Sequence, residues 1–329
     1  MVVGDLATEV DVLVLGGGPG GYVAAIRAAQ LGKLVTLVDP NAPGGSCLHE
    51  SCIPSKALLS AAQRLQQAKT AVSMGIAAEV SVDFAAMQGW KQTVVDKLAG
   101  GVGKLLKANK VDVVAGRGFF LNAHEVRVEG TYGTHRYGFE NCIIATGTRP
   151  LPHPDLPFDG ERVIMAVSAL KLTNIPNQIC IVGSNSIAAE LATLFAQLGS
   201  NVRLLLPEGE TLLSEFDLTA GRLIGSGLKK LGVKLQTATE PVEAATAKEP
   251  LIVVCGASRG NTDELALEAV GLTAGDDGFL SINAQMQTAQ PHVYAVGDVT
   301  GSGWATFAIK QGKVAAEAIR GLPVAFAPQ

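Results

Sequence analysis

Cysteine is scarce in this chain: there are five in 329 residues, and none falls in a Cys-x-x-Cys pair. That spacing argues against a zinc site or a metal cluster, so no metal is expected. Basic residues do not outnumber acidic ones (26 Lys and Arg against 30 Asp and Glu, net charge −4). Such a balance offers nucleic acid or an anionic membrane no general attraction. No uncharged apolar run reaches the ~20 residues a membrane helix needs. No basic, apolar and small-residue leader opens the chain. With few cysteines and no leader, the expected compartment is the cytoplasm.

What the chain has is apolar residues and glycine. Hydrophobic residues make up 47%, mean hydropathy is +0.28 and glycines number 38, as in covered parallel sheets with tight turns. The length suits two domains. Residues 11–15 (Asp-Val-Leu-Val-Leu) read as a buried strand, followed by Gly16-Gly17-Gly18-Pro19-Gly20-Gly21 and an alanine-rich helix from Tyr22 to Gln30. A second strand, Leu34–Val38, closes on Asp39. Strand, G-x-G-x-x-G, helix, strand and acid together make a dinucleotide-binding unit. Gly16, Gly18 and Gly21 let the backbone turn and approach a pyrophosphate. The helix end beside Pro19 receives its charge, and Asp39 bonds a ribose hydroxyl.

The second half repeats this unit without a gap. A shift of 167 residues carries Gly16 onto Gly183, Gly21 onto Ala188, and Ala29-Gln30-Leu31-Gly32 onto Ala196-Gln197-Leu198-Gly199. The same shift places Asn185 where Gly18 stands and Leu206 where Asp39 stands. An asparagine side chain intrudes on a pyrophosphate, and leucine accepts nothing from a ribose. Glu208 and Glu210, in the loop after Pro207, are the acids nearest to Leu206 in sequence. The second fold is expected to persist with an eroded nucleotide site.

Between the two units lies Gly44-Gly45-Ser46-Cys47-Leu48-His49-Glu50-Ser51-Cys52-Ile53-Pro54-Ser55-Lys56. Cysteines five apart on a regular helix are too distant to bridge, because a disulfide wants Cα atoms within roughly 4.4–6.8 Å. An irregular turn before a helix starting near Pro54 brings them together. Cys52 would then sit at a helix N-terminus, which favours a thiolate. On spacing alone the pair reads as a redox couple, a structural disulfide or two unrelated thiols.

Helices are expected over 57–72 and 84–107. Short strands follow at Val111–Val114, Phe119–Leu121, Glu125–Val128, Arg136–Phe139 and Asn141–Ala145, the last running into Thr146-Gly147-Thr148-Arg149-Pro150. The proline-rich segment 151–160 marks a domain boundary. Later strands are expected at Gln178–Val182, Leu251–Cys255, Gly278–Ile282 and His292–Val296, with one or two within 237–249. A final helix covers Ala305–Arg320, and residues 324–329 form a loose tail. Cys142, Cys180 and Cys255 lie in apolar strands as core thiols.

Taken together, the chain resembles the class I pyridine nucleotide–disulfide oxidoreductases, the dihydrolipoamide dehydrogenase branch above all. The family motif Gly-Gly-Thr-Cys-Leu-Asn-x-Gly-Cys-Ile-Pro-Ser-Lys is matched by Gly44 to Lys56 except at Ser46, His49 and Ser51. Asn141–Pro150 resembles the strand and Ala-Thr-Gly turn that cross FAD. Tyr294-Ala295-Val296-Gly297-Asp298-Val299 resembles the second FAD motif.

The resemblance implies an α/β chain with two Rossmann-like domains. Residues 1–150 plus 270–329 would form a discontinuous FAD domain, and 151–269 a shortened NAD(P)-binding-like domain. It implies FAD held by Gly16, Gly18, Pro19, Gly21, Asp39, Gly45, Ser46, Lys56, Gly116, Ala145, Thr146, Gly147, Asp298 and Ala305. Cys47 is the interchange thiol and Cys52 the thiol facing the flavin. Lys56 lies near flavin N5 and pairs with Glu190. The family's C-terminal interface domain, with its acid–base His–Glu pair, is not expected here. His49 is therefore a candidate base, or else simply stands in for asparagine on a solvated turn.

The expected function is an FAD-dependent dithiol/disulfide oxidoreductase. Electrons pass between a dithiol substrate, Cys47–Cys52 and FAD, and the remaining partner is a carrier other than NAD(P). The dithiol would be a small molecule or a lipoyl- or thioredoxin-like protein. The alternatives are an NAD(P)H-dependent disulfide reductase, or a flavin-carrying interaction protein with little turnover. No C-terminal vicinal cysteine pair is present, which argues against mercuric-ion reduction.

Overall fold

A computed structural model describes residues 7–327 apart from 78, 132, 240–241 and 243–245. In chain order, β1 (Thr8–Leu15), α1 (Pro19–Gln30) and β2 (Val35–Asp39) are followed by α2 (Gly45–His49) and α3 (Cys52–Thr70). Next come α4 (Phe84–Ala108), β3 (Asp112–Ala115), β4 (Arg117–Asn122), β5 (Glu125–Gly130) and β6 (Gly133–Ile144). β7 (Thr148–Pro150), β8 (Val163–Met165), α5 (Ala166–Ala169), β9 (Gln178–Val182), α6 (Ser186–Leu198) and β10 (Asn201–Leu206) follow. The described elements end with α7 (Leu218–Lys230), β11 (Lys234–Thr237), β12 (Ile252–Val254), β13 (Ser258–Gly260), β14 (Val293–Ala295) and α8 (Ala305–Ile319). Two compact units result. One holds Met1–His49, Asp96–Arg149 and Ser258–Gln329, and the other holds Glu50–Val95 and Pro150–Ala257.

In the first unit the sheet runs β3-β2-β1-β6-β5-β4, with β14 also on β6. The β3, β2, β1, β6 and β14 pairings are parallel. β1 has the alternation that lets both faces be covered: Leu13 and Leu15 enter one core with Cys142 and Ile144, and Val12 and Val14 enter another with Ala24, Ala28 and Ile143. Each fully buried Val, Leu or Ile contributes about 1.5–3 kcal/mol of burial free energy. α1 and α8 meet through small residues, since a Cβ on Gly312 would lie 2.3 Å from Gly20 O.

Three expectations change here. Arg136–Phe139 and Asn141–Ala145 are one strand, β6. Its beginning pairs antiparallel with β5 and its end parallel with β14, while β1 runs along its other edge. Gly278–Ile282 is not a strand. Gly278 turns with φ +77° and donates to Gly275 O at 2.8 Å, and Leu280 bonds Val299 O instead of joining a ladder. The described part of the tail is docked, because Phe326 N–H donates to Ala284 O at 2.7 Å and its ring meets Phe307 edge-on at 5.6 Å.

The second unit holds a five-stranded sheet, β11-β10-β9-β12-β8, parallel throughout. On one face α3 and α6 share a core in which Leu58 and Ala62 join Leu191, Ala192 and Phe195. The expected strands within 237–249 lie partly outside the described residues, and β11 ends at Thr237. Both units are Rossmann-like α/β folds, the first assembled from three stretches of chain.

Candidate active site

In the first unit the glycine loop does two different jobs. Gly16 (φ +104°) and Gly21 are demanded by the protein itself: a Cβ on Gly16 would lie 2.2 Å from Ala145 O, and one on Gly21 1.8 Å from Gly16 O. Gly18, at the N-cap of α1, is different. A Cβ there would come no closer than 4.0 Å, to Gly45 Cα. The fold therefore leaves room above Gly18 that its own packing does not need. α1 has no side-chain cap and opens with Pro19. Gly20 and Gly21 are buried, and their N–H groups have no partner among the described residues. Buried donors without protein partners at a helix N-terminus suit an anion.

Asp39 closes β2 beside this loop. Its carboxylate accepts from Gly17 N–H at 2.5 Å and Asn41 N–H at 2.7 Å. Burial nevertheless outweighs these bonds and holds its pKa above the usual carboxylate value. Each oxygen keeps a lone pair for a ribose hydroxyl. Gly116 N–H donates to Asp39 O at 3.1 Å, and Gly116 has no room for a side chain beside Val128 and Glu129. Ala145 N–H donates to Leu15 O at 2.7 Å, and Gly147 turns with φ +69°. Thr146 Oγ1 is buried with no partner among the described residues.

Asp298 follows β14 in a turn held by Gln311, whose Oε1 accepts from Gly297 N–H at 2.7 Å. Burial pushes the Asp298 carboxyl up, and no hydrogen bond reaches it among the described residues. Ala305 is the first residue of α8. An open helix end, a buried carboxylate closing β2, an unpartnered threonine and a buried aspartate fit a dinucleotide such as FAD.

The cysteine segment contains more helix than expected. α2 covers Gly45–His49, the break falls at Glu50–Ser51, and α3 begins at Cys52 with Pro54 in its first turn. Gly44 and Gly45 turn into α2 with φ +134° and +62°. Ser46 is exposed, and both cysteines are half-buried. Cys52 thus sits at a helix N-terminus, which favours negative charge. His49 Nε2 donates to Pro43 O at 3.1 Å, and the imidazole also acts on Asp39. Sequence reasoning passed over Tyr22. It follows the glycine turn in α1, and burial, then the charge at Cys47, push its phenol up.

In the second unit α3 and α6 bring Lys56 to Glu190, 134 residues away, with Nζ 2.6 and 2.7 Å from the two carboxylate oxygens. Ser55, also overlooked, donates its hydroxyl to the same Glu190 Oε1. The lysine is 65% exposed, so the pair contributes at most ~1 kcal/mol to stability. Asn185 caps α6: its Oδ1 accepts from Ala188 N–H at 3.0 Å and its Nδ2 donates to Cys255 O at 3.1 Å. Leu206 is buried. Glu210 accepts from the Ser184 hydroxyl. Cys142, Cys180 and Cys255 are buried, which raises the Cys142 pKa and pushes Cys180 and Cys255 up to about 12.

The family model for pyridine nucleotide-disulphide oxidoreductases matches residues 10–318. A dihydrolipoyl dehydrogenase of Geobacillus stearothermophilus is 44% identical, over 99% of this chain and 73% of that protein. One of Haloferax volcanii is 40% identical, over 100% of this chain and 74% of that protein. Among solved structures, LpdA from Mycobacterium tuberculosis superposes with a TM-score of 0.88 at 24% identity, over 98% of this chain and 74% of that one. The flavoprotein disulfide reductase RclA from Escherichia coli does so at 0.82 and 22% identity, over 95% and 71%. At these identities the two structures speak for the fold. The chain belongs to the pyridine nucleotide-disulphide oxidoreductase family and is an FAD-dependent oxidoreductase acting on a sulfur group.

Proposed function

We propose that this chain exchanges a disulfide between Cys47–Cys52 and a dithiol substrate, as a dihydrolipoamide dehydrogenase-like enzyme, and passes two electrons to FAD. The observation carrying this reading is the Lys56–Glu190 pair. The lysine that ends the cysteine motif is gripped by both oxygens of the glutamate that the resemblance pairs with it. FAD would be held by the Gly16–Gly21 loop, Asp39, Gly45, Ser46, Gly116, Ala145–Gly147, Asp298 and Ala305.

In the direction of dithiol oxidation, a substrate thiolate attacks Cys47 Sγ. A substrate–Cys47 bond forms, the Cys47–Cys52 bond breaks, and Cys52 leaves as a thiolate stabilised by the α3 N-terminus. The second substrate thiolate then attacks the substrate sulfur of this mixed disulfide, which closes the product disulfide and frees Cys47. Two protons leave the substrate. His49 is the candidate base of this segment, and with Nε2 given to Pro43 its Nδ1 is the proton acceptor. FAD, when bound, supplies the two-electron acceptor. Lys56 provides a cation to offset the charge gained, and Glu190 with Ser55 fixes its position. The dithiol is a small molecule or is carried by a lipoyl- or thioredoxin-like protein. The onward carrier is not NAD(P), because Asn185 and Leu206 stand at the second nucleotide loop.

The test is an anaerobic dithionite titration of the purified protein with absorbance recorded. Wild type should develop a long-wavelength band from the Cys52 thiolate, and Cys52→Ser should lack it. An unchanged spectrum in Cys52→Ser would sink the assignment of the redox pair.

A further inference from the structure

The second dinucleotide-binding fold does not fit the pyridine nucleotide that its family implies, and the obstacle is more than a missing glycine. Two of the N–H groups that open α6 are already taken. Ser186 N–H donates to Glu215 Oε1 at 3.1 Å and Ala188 N–H to Asn185 Oδ1 at 3.0 Å. A pyrophosphate would bind this end through those donors and the positive end of the helix dipole. A carboxylate of the chain stands there instead.

The loop bearing Glu215 is held, not merely resting. Leu213 N–H donates to Ser184 O at 2.6 Å, the Ser184 hydroxyl donates to Glu210, and Phe216 N–H returns to Leu213 O at 2.9 Å. Leu212 and Leu213 are buried in the core of this unit. Leu213 has φ +58°, a left-handed conformation that an unbranched-at-Cβ apolar residue seldom adopts unless its surroundings impose it. An incoming pyrophosphate must displace Glu215 from Ser186, compete with the Asn185 amide, and find no ribose acid at Leu206. Its own negative charge also meets the glutamate.

We infer that Glu215 is a specificity-determining residue that occupies the anion-binding end of α6 and excludes NADH and NADPH from the second unit. This rests on the geometry of that unit alone and does not depend on the dithiol chemistry proposed above. The test is isothermal titration calorimetry of the flavin-loaded protein with NADH and with NADPH, a binding measurement that needs no turnover. Wild type is compared with Glu215→Ala and with Glu208→Ala, which removes an exposed acid of the same loop that makes no bond to α6 among the described residues. Glu215→Ala should bind nucleotide at least about tenfold more tightly than wild type, and Glu208→Ala should match wild type. Equal affinities in wild type and Glu215→Ala, including no detectable binding in either, would overturn the inference. An equal gain in Glu208→Ala would do the same, because it would show a general charge effect.

Discussion

The first turns of α1 and α6 share a backbone and differ in everything that would meet a ligand. Gly18 has φ −67° and ψ −179°, and Asn185 has φ −80° and ψ 176°, each at an N-cap after a parallel strand. Around Gly18 the donors of Gly20 and Gly21 stay open and Asp39 stands ready. Around Asn185 its own amide takes the Ala188 donor and Glu215 the Ser186 donor, and Leu206 replaces the acid. A dinucleotide fold can therefore be kept intact while its ligand is exchanged for the chain's own side chains. Fold and competence separate at a few residues.

The comparison can be broken most sharply at the glycines. Gly16→Ala places a Cβ 2.2 Å from Ala145 O at φ +104° and should cost about 1–3 kcal/mol of folding stability, read by thermal melting. Gly18→Asn transplants the α6 arrangement into α1. It should fold with an unchanged melting curve when flavin-free, since nothing lies closer than 4.0 Å to that Cβ. Its FAD affinity should drop roughly a hundredfold, and the purified protein should be colourless.

Next in size is a test of what α6 retains. The helix whose tip is closed still carries Glu190, so Glu190→Gln should lower the rate of dithiol oxidation by about a hundredfold. It should shift stability by less than about 1 kcal/mol, because Lys56 is mostly exposed. A large loss of stability would make the pair structural instead.

The smallest effect concerns Asp298. Its pKa is raised by burial, so the folded chain holds this proton more tightly than the unfolded chain does. Stability then falls as pH rises from the ordinary carboxylate value through the raised one, and the deficit persists at neutral pH. Flavin-free Asp298→Asn should accordingly melt slightly higher than flavin-free wild type at neutral pH, by about 1 kcal/mol or less, with a flatter pH dependence across that window. It should also hold FAD less tightly.

Much of this was legible in the sequence because local rules and tertiary structure agree. Gly16 to Asp39 spells a strand, turn, helix and strand, and the 167-residue repeat exposed Asn185 and Leu206 without coordinates. β6 was misread as two strands because alternation says nothing about which neighbour a strand joins. Phe279, Leu280 and Ile282 alternate like a strand, yet Gly278 turns and no partner ladder forms. Tyr22, Ser55 and Glu215 went unnoticed because their importance comes from what the fold sets beside them. Glu215 in particular sits 29 residues from Ser186 in sequence, in a loop without a motif.

The most direct test of the contrast between α1 and α6 is anaerobic absorbance of the flavin-loaded protein mixed with dihydrolipoamide and, separately, with NADH at equal concentration. The dithiol should change the flavin spectrum and raise the long-wavelength band, while NADH should leave the spectrum unchanged. A change with NADH as fast as with the dithiol would contradict the contrast.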